Sequence, residues 1–151
     1  MIMKSSMKLK GLLLFLITAL VIFSSGCQKE KKIYQVKVRN SCEIQLLGLP
    51  FMKYNIKEFT LGDIKFGAVA KGDDSDYKEI ESDTEYAVSI TYDIYLYNAD
   101  NMAYQFDRTE TTDLGSETWT DSEESDKFIM KVEIGDILQA YKPVYKTYIA
   151  N

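Results

Sequence analysis

From Ile33 onward, apolar and polar residues alternate with a period of two, which sends successive side chains to opposite faces of an extended strand. Tyr34, Val36 and Val38 alternate with Gln35, Lys37 and Arg39, predicting a strand with one wet face. Asn40-Ser41 is a turn signal, and residues 43–47 predict a second strand. Two short apolar stretches within residues 54–70 flank Leu61-Gly62-Asp63, a hairpin-like break, before the loop Lys71-Gly72-Asp73-Asp74. The longest alternation spans residues 86–97. Tyr86, Val88, Ile90, Tyr92, Ile94 and Leu96 share one face, and Ala87, Ser89, Thr91, Asp93, Tyr95 and Tyr97 share the other. Twelve residues of this pattern do not fit a helix. A turn at residues 98–101 and renewed alternation at Met102, Tyr104 and Phe106 complete a β-hairpin. Residues 109–126 are polar and acidic around Leu114 and Trp119, which predicts a long excursion with a short strand near 118–120. Phe128, Met130, Val132 and Ile134 alternate again, while residues 137–141 fit one helical turn before Pro143. The elements predict an all-β domain over residues 33–151, a single antiparallel β-sandwich or a small barrel.

The first 26 residues follow a different pattern. Lys4, Lys8 and Lys10 form a basic stretch without acids, and residues 12–23 run without a charge. As a helix that run is about 18 Å long, short of the roughly 30 Å hydrocarbon core, and fits a signal peptide better than a span. It ends in Ser24-Ser25-Gly26-Cys27. These residues resemble the lipobox of bacterial lipoproteins, with Ser24 departing from the usual aliphatic residue. The resemblance implies cleavage before Cys27, thioether attachment of diacylglycerol to its sulfur, and acyl chains (palmitate among them) that hold the protein on a membrane. Residues 27–32 then form a lipidated tether. Gln28, in place of the Asp associated with inner-membrane retention, favours the outer membrane in a host with two membranes.

Residues 36–96 resemble small immunoglobulin-like sandwich domains found in many envelope lipoproteins. The resemblance rests on Leu61-Gly62-Asp63, Phe66-Gly67, Gly72 with Ser75 and Tyr77, and the Tyr86-x-Val88-x-Ile90 strand. The immunoglobulin Cys–Trp–Cys arrangement is missing, and the resemblance implies a fold class without an activity.

Charge narrows the partners. Removal of residues 1–26 takes away three lysines and no acid, leaving fifteen basic and 23 acidic side chains, a formal charge of −8. Such a chain is repelled by nucleic acid, and only Lys29, Lys31 and Lys32 stand next to the lipid to meet acidic headgroups. With Cys27 carrying lipid, Cys42 has no disulfide partner and reads as a small buried hydrophobe. The absence of histidine removes Ser-His-Asp, Cys-His and His–metal chemistry. No cofactor motif is present.

Three constellations remain. Asp73, Asp74 and Asp76, and Asp121, Glu123, Glu124 and Asp126, sit in loops able to offer calcium several oxygens, although neither has EF-hand spacing. Tyr95 and Tyr97, opposite the apolar row of their strand, and Trp119 in a polar segment are candidate ligand-binding aromatics for a glycan or an envelope protein; the competing expectation puts Tyr95 and Tyr97 on the second face of a buried strand and Trp119 as a plug at one end of the core. A pair of carboxylates for glycan hydrolysis is the third possibility, with no pair singled out by spacing. The reading that follows is a membrane-anchored, non-catalytic binding or assembly module of the cell envelope. Glycan binding through exposed aromatics is the alternative.

Overall fold

The computed structural model describes residues 29–150, so the expected leader and Cys27 lie outside the described residues. Among these residues the chain forms β1 (Ile33–Asn40), β2 (Glu43–Leu46), β3 (Leu49–Leu61), β4 (Ile64–Lys65), β5 (Lys78–Glu81), β6 (Glu85–Asn98), β7 (Ala103–Thr118), β8 (Lys127–Ile134) and β9 (Pro143–Ile149), with a single 3-10 turn at Ile137–Gln139. The fold is all-β. Sheet A has the order β5-β1-β8-β9; sheet B has the order β2-β3-β6-β7, with β4 paired to β3.

Alternation sends one face of each sheet into a shared core. Sheet A contributes Tyr34, Val36, Val38, Ile80, Phe128, Met130 and Val132, and sheet B contributes Tyr54, Ile56, Phe59, Leu61, Val88, Ile90, Tyr92 and Ile94. Each such side chain, fully withdrawn from water, contributes about 1.5–3 kcal/mol. One irregularity keeps β3 in phase. Ile56 faces Tyr92 while Glu58 faces Thr91, so Lys57 is an extra residue. The bulge switches the inward positions from Tyr54 and Ile56 to Phe59 and Leu61.

Three expectations change. The sheets are not wholly antiparallel, because β1 pairs parallel with β8 from Gln35↔Lys127 to Asn40↔Val132. Nor do they close into a barrel, since each ends in two edge strands. Residues 109–118 are not an excursion either. β7 continues along β6 through Thr118, bending at bulges around Asp107 and around Leu114-Gly115, where Gly115 takes φ +91°. A bulge residue at positive φ suits glycine because it has no Cβ to clash.

Trp119 follows β7 into the core and is 2 % exposed. Its ring lies 6.2 Å from both Tyr86 and Phe128, and Tyr34 meets Phe128 edge-on at 5.5 Å. Two buried polar residues close the ends of the sandwiched sheets. Asn40 donates from Nδ2 to the carbonyls of Tyr54 (3.0 Å) and Val69 (2.8 Å), and its Oδ1 accepts from the Cys42 amide (3.0 Å). It therefore ties β1, β3 and the segment after β4 together. Ser82 accepts from the Lys32 amide at 2.9 Å and donates to Asp121, seating the start of the domain against the loop after Trp119. We call the Ser82 end the base and the end beyond Asn40 the tip. β6 runs from base to tip through fourteen residues, about 45 Å at some 3.3 Å each.

Candidate functional site

Cross-strand register builds an aromatic cluster on the outer face of sheet B, near the tip. β6 sends Tyr95 and Tyr97 outward, and β7 sets Phe106 opposite Tyr95 and Tyr104 opposite Tyr97. Both pairs pack edge to face, with centroids 5.8 and 5.5 Å apart. Lys53, opposite Tyr95 on β3, holds its ammonium 5.4 Å from the Tyr95 ring centre and 4.5 Å from that of Tyr104. Such cation–π contacts contribute roughly 0.5–1 kcal/mol at exposed sites. The Tyr104 hydroxyl donates to Glu43 at 3.0 Å, and desolvation, with this bond, pushes it up to about 12. Glu43 itself is held below its usual range, chiefly by the Lys71 ammonium. Towards the base the same face is a row of hydroxyls: Thr60 with Ser89 (2.9 Å), Thr91 with Thr111 (2.9 Å), and Thr109 donating to Asp93 (2.5 Å).

The tip itself is apolar. Pairing of Met52 with Leu96 brings the β2–β3 and β6–β7 turns to one end of sheet B. Leu46, Leu47, Leu49, Leu96, Met102 and Phe106 are all exposed there, Leu47 completely and Met102 by 80 %. Leu47 has φ +52° with Gly48 at +79°, and Met102 has φ +54°. Two-residue hairpin turns of that handedness take Asn-Gly, because a side chain in the left-handed region costs about 1–2 kcal/mol. Leucine and methionine here carry the strain without gaining burial. An open recess of about 410 Å³ beside them is lined by Leu96, Tyr97, Asn98, Gln105 and Phe106 among others.

Of the aromatics read from sequence, Tyr95 and Tyr97 share this face and Trp119 does not. Packed between sheets at the base, Trp119 offers no ring face to a ligand. Tyr104 and Phe106 were legible as members of this face. Folding residues 102–106 back across the turn at 98–101 gives both the outward parity of Tyr95 and Tyr97, while the observed turn at 99–102 sets Tyr104 against Tyr97 and Phe106 against Tyr95. The Leu46-Leu47-Gly48-Leu49 run carried no comparable signal until its turn geometry was known.

In each acidic loop one carboxylate, Asp74 and Asp121 respectively, is bonded by the protein's own side chains, and several backbone carbonyls are also engaged. Asp74 binds Arg39 through two hydrogen bonds of 2.6 and 2.8 Å and meets Lys37 at 2.6 Å; these partners, Arg39 first, hold its carboxyl far below the usual range. The Asp73 carbonyl accepts from Asn40, and the Asp76 carbonyl from Ser75. In the second loop Asp121 accepts from Ser82, the Glu123 carbonyl accepts from Lys32, and the Asp126 carbonyl accepts from the Gln35 amide. Glu124 belongs to the same loop and is exposed. Among the described residues no three Cys, Asp or Glu side chains gather in a metal-holding group. Glu110 is likewise held low, first by Arg108 and then by the Tyr92 hydroxyl at 3.0 Å. That is opposite to the raised carboxyl a glycosidase acid requires.

The outer face of sheet A is of another kind. β1 presents Lys37 and Arg39, β8 presents Lys127, Ile129 and Lys131, and β9 presents Lys146 and Tyr148. Cys42, beneath the tip, is a free thiol that burial pushes up to about 12, so it is not a nucleophile at neutral pH. Comparison with protein-family models, with curated proteins and with solved structures found no match to this chain.

Proposed function

We propose that this chain is a lipoprotein anchored through Cys27, in the outer membrane where the host has two, and acts as a non-catalytic binding module. An immunoglobulin-like sandwich is the finer fold we assign, supported by two sheets facing one core. Its ligand is an apolar site on another envelope protein, met by the tip and the aromatic face of sheet B. One observation carries this reading: Leu47 and Met102 are strained in the left-handed region and exposed at the same time. Neither residue helps the isolated domain, and strain kept without local benefit marks surfaces used for contact. A protein is favoured over a sugar because Lys53 caps the ring faces of Tyr95 and Tyr104 on which a sugar would stack.

A photo-crosslinking residue at position 47 should give one discrete adduct in intact cells, lost when Met102→Asn and Phe106→Ala are added. Absence of any adduct overturns the reading. The hydroxyl row beside the aromatics supports glycan binding as the second reading. Gel retardation by envelope polysaccharide, abolished by Tyr97→Ala and Phe106→Ala, would establish it instead. The anchor is tested separately: Cys27→Ser should abolish lipid labelling and processing together.

A further inference from the structure

Charge on this acidic chain is segregated: cations collect on the part of the outer face of sheet A formed by β1, β8 and β9, while β5 at its edge carries Glu79 and Glu81. Register places Arg39 opposite Lys131 and Lys131 opposite Lys146, a row of three cations across three adjacent strands. Like charges directly opposite on one sheet face repel, so such a row lowers the stability of the domain that carries it. Two members are partly neutralised, Arg39 by Asp74 and Lys131 by Glu133. Lys146 is exposed and forms no ion pair among the described residues, and the same holds for Lys127 beside Gln35. The next row is Lys37, Ile129 and Tyr148, and an open recess of about 510 Å³ is lined by Arg39, Ile129, Lys131, Tyr148 and Ile149. Cations set around aliphatic and tyrosine side chains match a phospholipid surface, where ammonium and guanidinium groups meet phosphates and the apolar groups sit at headgroup depth.

We propose that the β1, β8 and β9 part of the outer face of sheet A rests on an anionic phospholipid surface, with the acidic β5 edge outside the contact. The orientation rests on the anchored reading above, whereas the affinity of the face does not. β1 starts six residues after Cys27, at most about 20 Å of chain, so a lipid-held domain keeps this face within reach of headgroups. Sheet B lies across the core from sheet A, so its aromatic face would then point away from the membrane.

Both sheets and every buried residue named above fall within residues 31–150, so a chain starting at residue 28 keeps the folded unit for the test. It should sediment with vesicles of phosphatidylglycerol and phosphatidylcholine and not with phosphatidylcholine alone, and 0.5 M salt should release it. The double reversal Lys127→Glu and Lys146→Glu, which breaks no ion pair, should lower partitioning at least about tenfold with an unchanged circular dichroism spectrum. If that variant fails to fold, Lys146→Gln alone should lower partitioning about fivefold. Phe106→Ala should leave it unchanged, separating this face from the tip. Equal binding to neutral vesicles, no binding to either, insensitivity to the lysine variants, or capture by soluble polyphosphate without vesicle binding would each overturn the proposal. A missing adduct at position 47 would leave it standing, and would count only against the partner site.

Discussion

The two outer faces rest on one core and solve the same problem, an exposed sheet surface, by different chemistry. Sheet A covers its face with five cations on β1, β8 and β9; Asp74 and Glu133 neutralise part of that charge, and Glu79 and Glu81 line the β5 edge. Sheet B covers its face with paired hydroxyls and, towards the tip, with rings locked edge to face under a single lysine. The charged face is bought at the cost of repulsion along its central row. The aromatic face is self-satisfied, and its cost is concentrated in two strained turn residues. Net charge conceals this division, because a chain at −5 still gathers cations on β1, β8 and β9 once strands sort its residues.

The comparison can be broken or sharpened by substitution. The largest effect should come from Trp119→Ala, which empties the core beneath both faces and should cost about 3–5 kcal/mol in urea unfolding. If the loss is under 1 kcal/mol, Trp119 is not the plug that joins the two sheets. Asn40→Ala should cost roughly 2–4 kcal/mol, because it removes the partner of the Tyr54 carbonyl and the Cys42 amide and leaves the Val69 carbonyl with only the Ile56 amide. It too should weaken both faces, since Asn40 links a strand of each sheet.

Smaller changes should separate them. Asp74→Asn should cost about 1 kcal/mol at pH 7, and should tighten vesicle binding by releasing Arg39 and Lys37. The Asp74 carboxyl is held below its unfolded value, first by Arg39. Its stabilisation is therefore present above about pH 4 and is lost as pH falls through the depressed folded value. Unfolding curves of the variant and the parent should converge in acid. Leu47→Asn should act on the tip alone, raising stability by roughly 0.5–1 kcal/mol through relief of the left-handed leucine. A thermal scan with no gain would show that the turn is unstrained.

What was legible in the sequence follows burial. β1, β6 and β8 lie inside their sheets, with one face in the core, and their alternation is nearly unbroken. β7 is an edge strand whose outward side and exposed flank are both polar, so residues 109–118 lost the alternation that marks a strand. β5 was missed because only Ile80 of its four residues is buried. β9 carries apolar or aromatic groups on both faces, Tyr145 inward and Tyr148 outward, which blurs a period of two. Asn40 read as a turn former because its side chain does bond local backbone; that it does so in the core depends on β3 arriving beside it. Tyr95 and Tyr97 were placed on the outer face by parity alone. Trp119 fits the expectation of a core plug and not that of a ligand-binding ring, because polar neighbours in sequence say little about neighbours in space.

The parallel pairing of β1 with β8 also bears on when the chain folds. The first strand lies between β5 and β8, so its partner on one side is about ninety residues away in sequence. Sheet A cannot be completed until nearly the whole chain has emerged, and topologies dominated by such distant pairings fold in milliseconds to seconds. Under the export proposed above, that delay would be useful: a polypeptide that cannot close its core until its last strands arrive stays loose enough to cross a membrane.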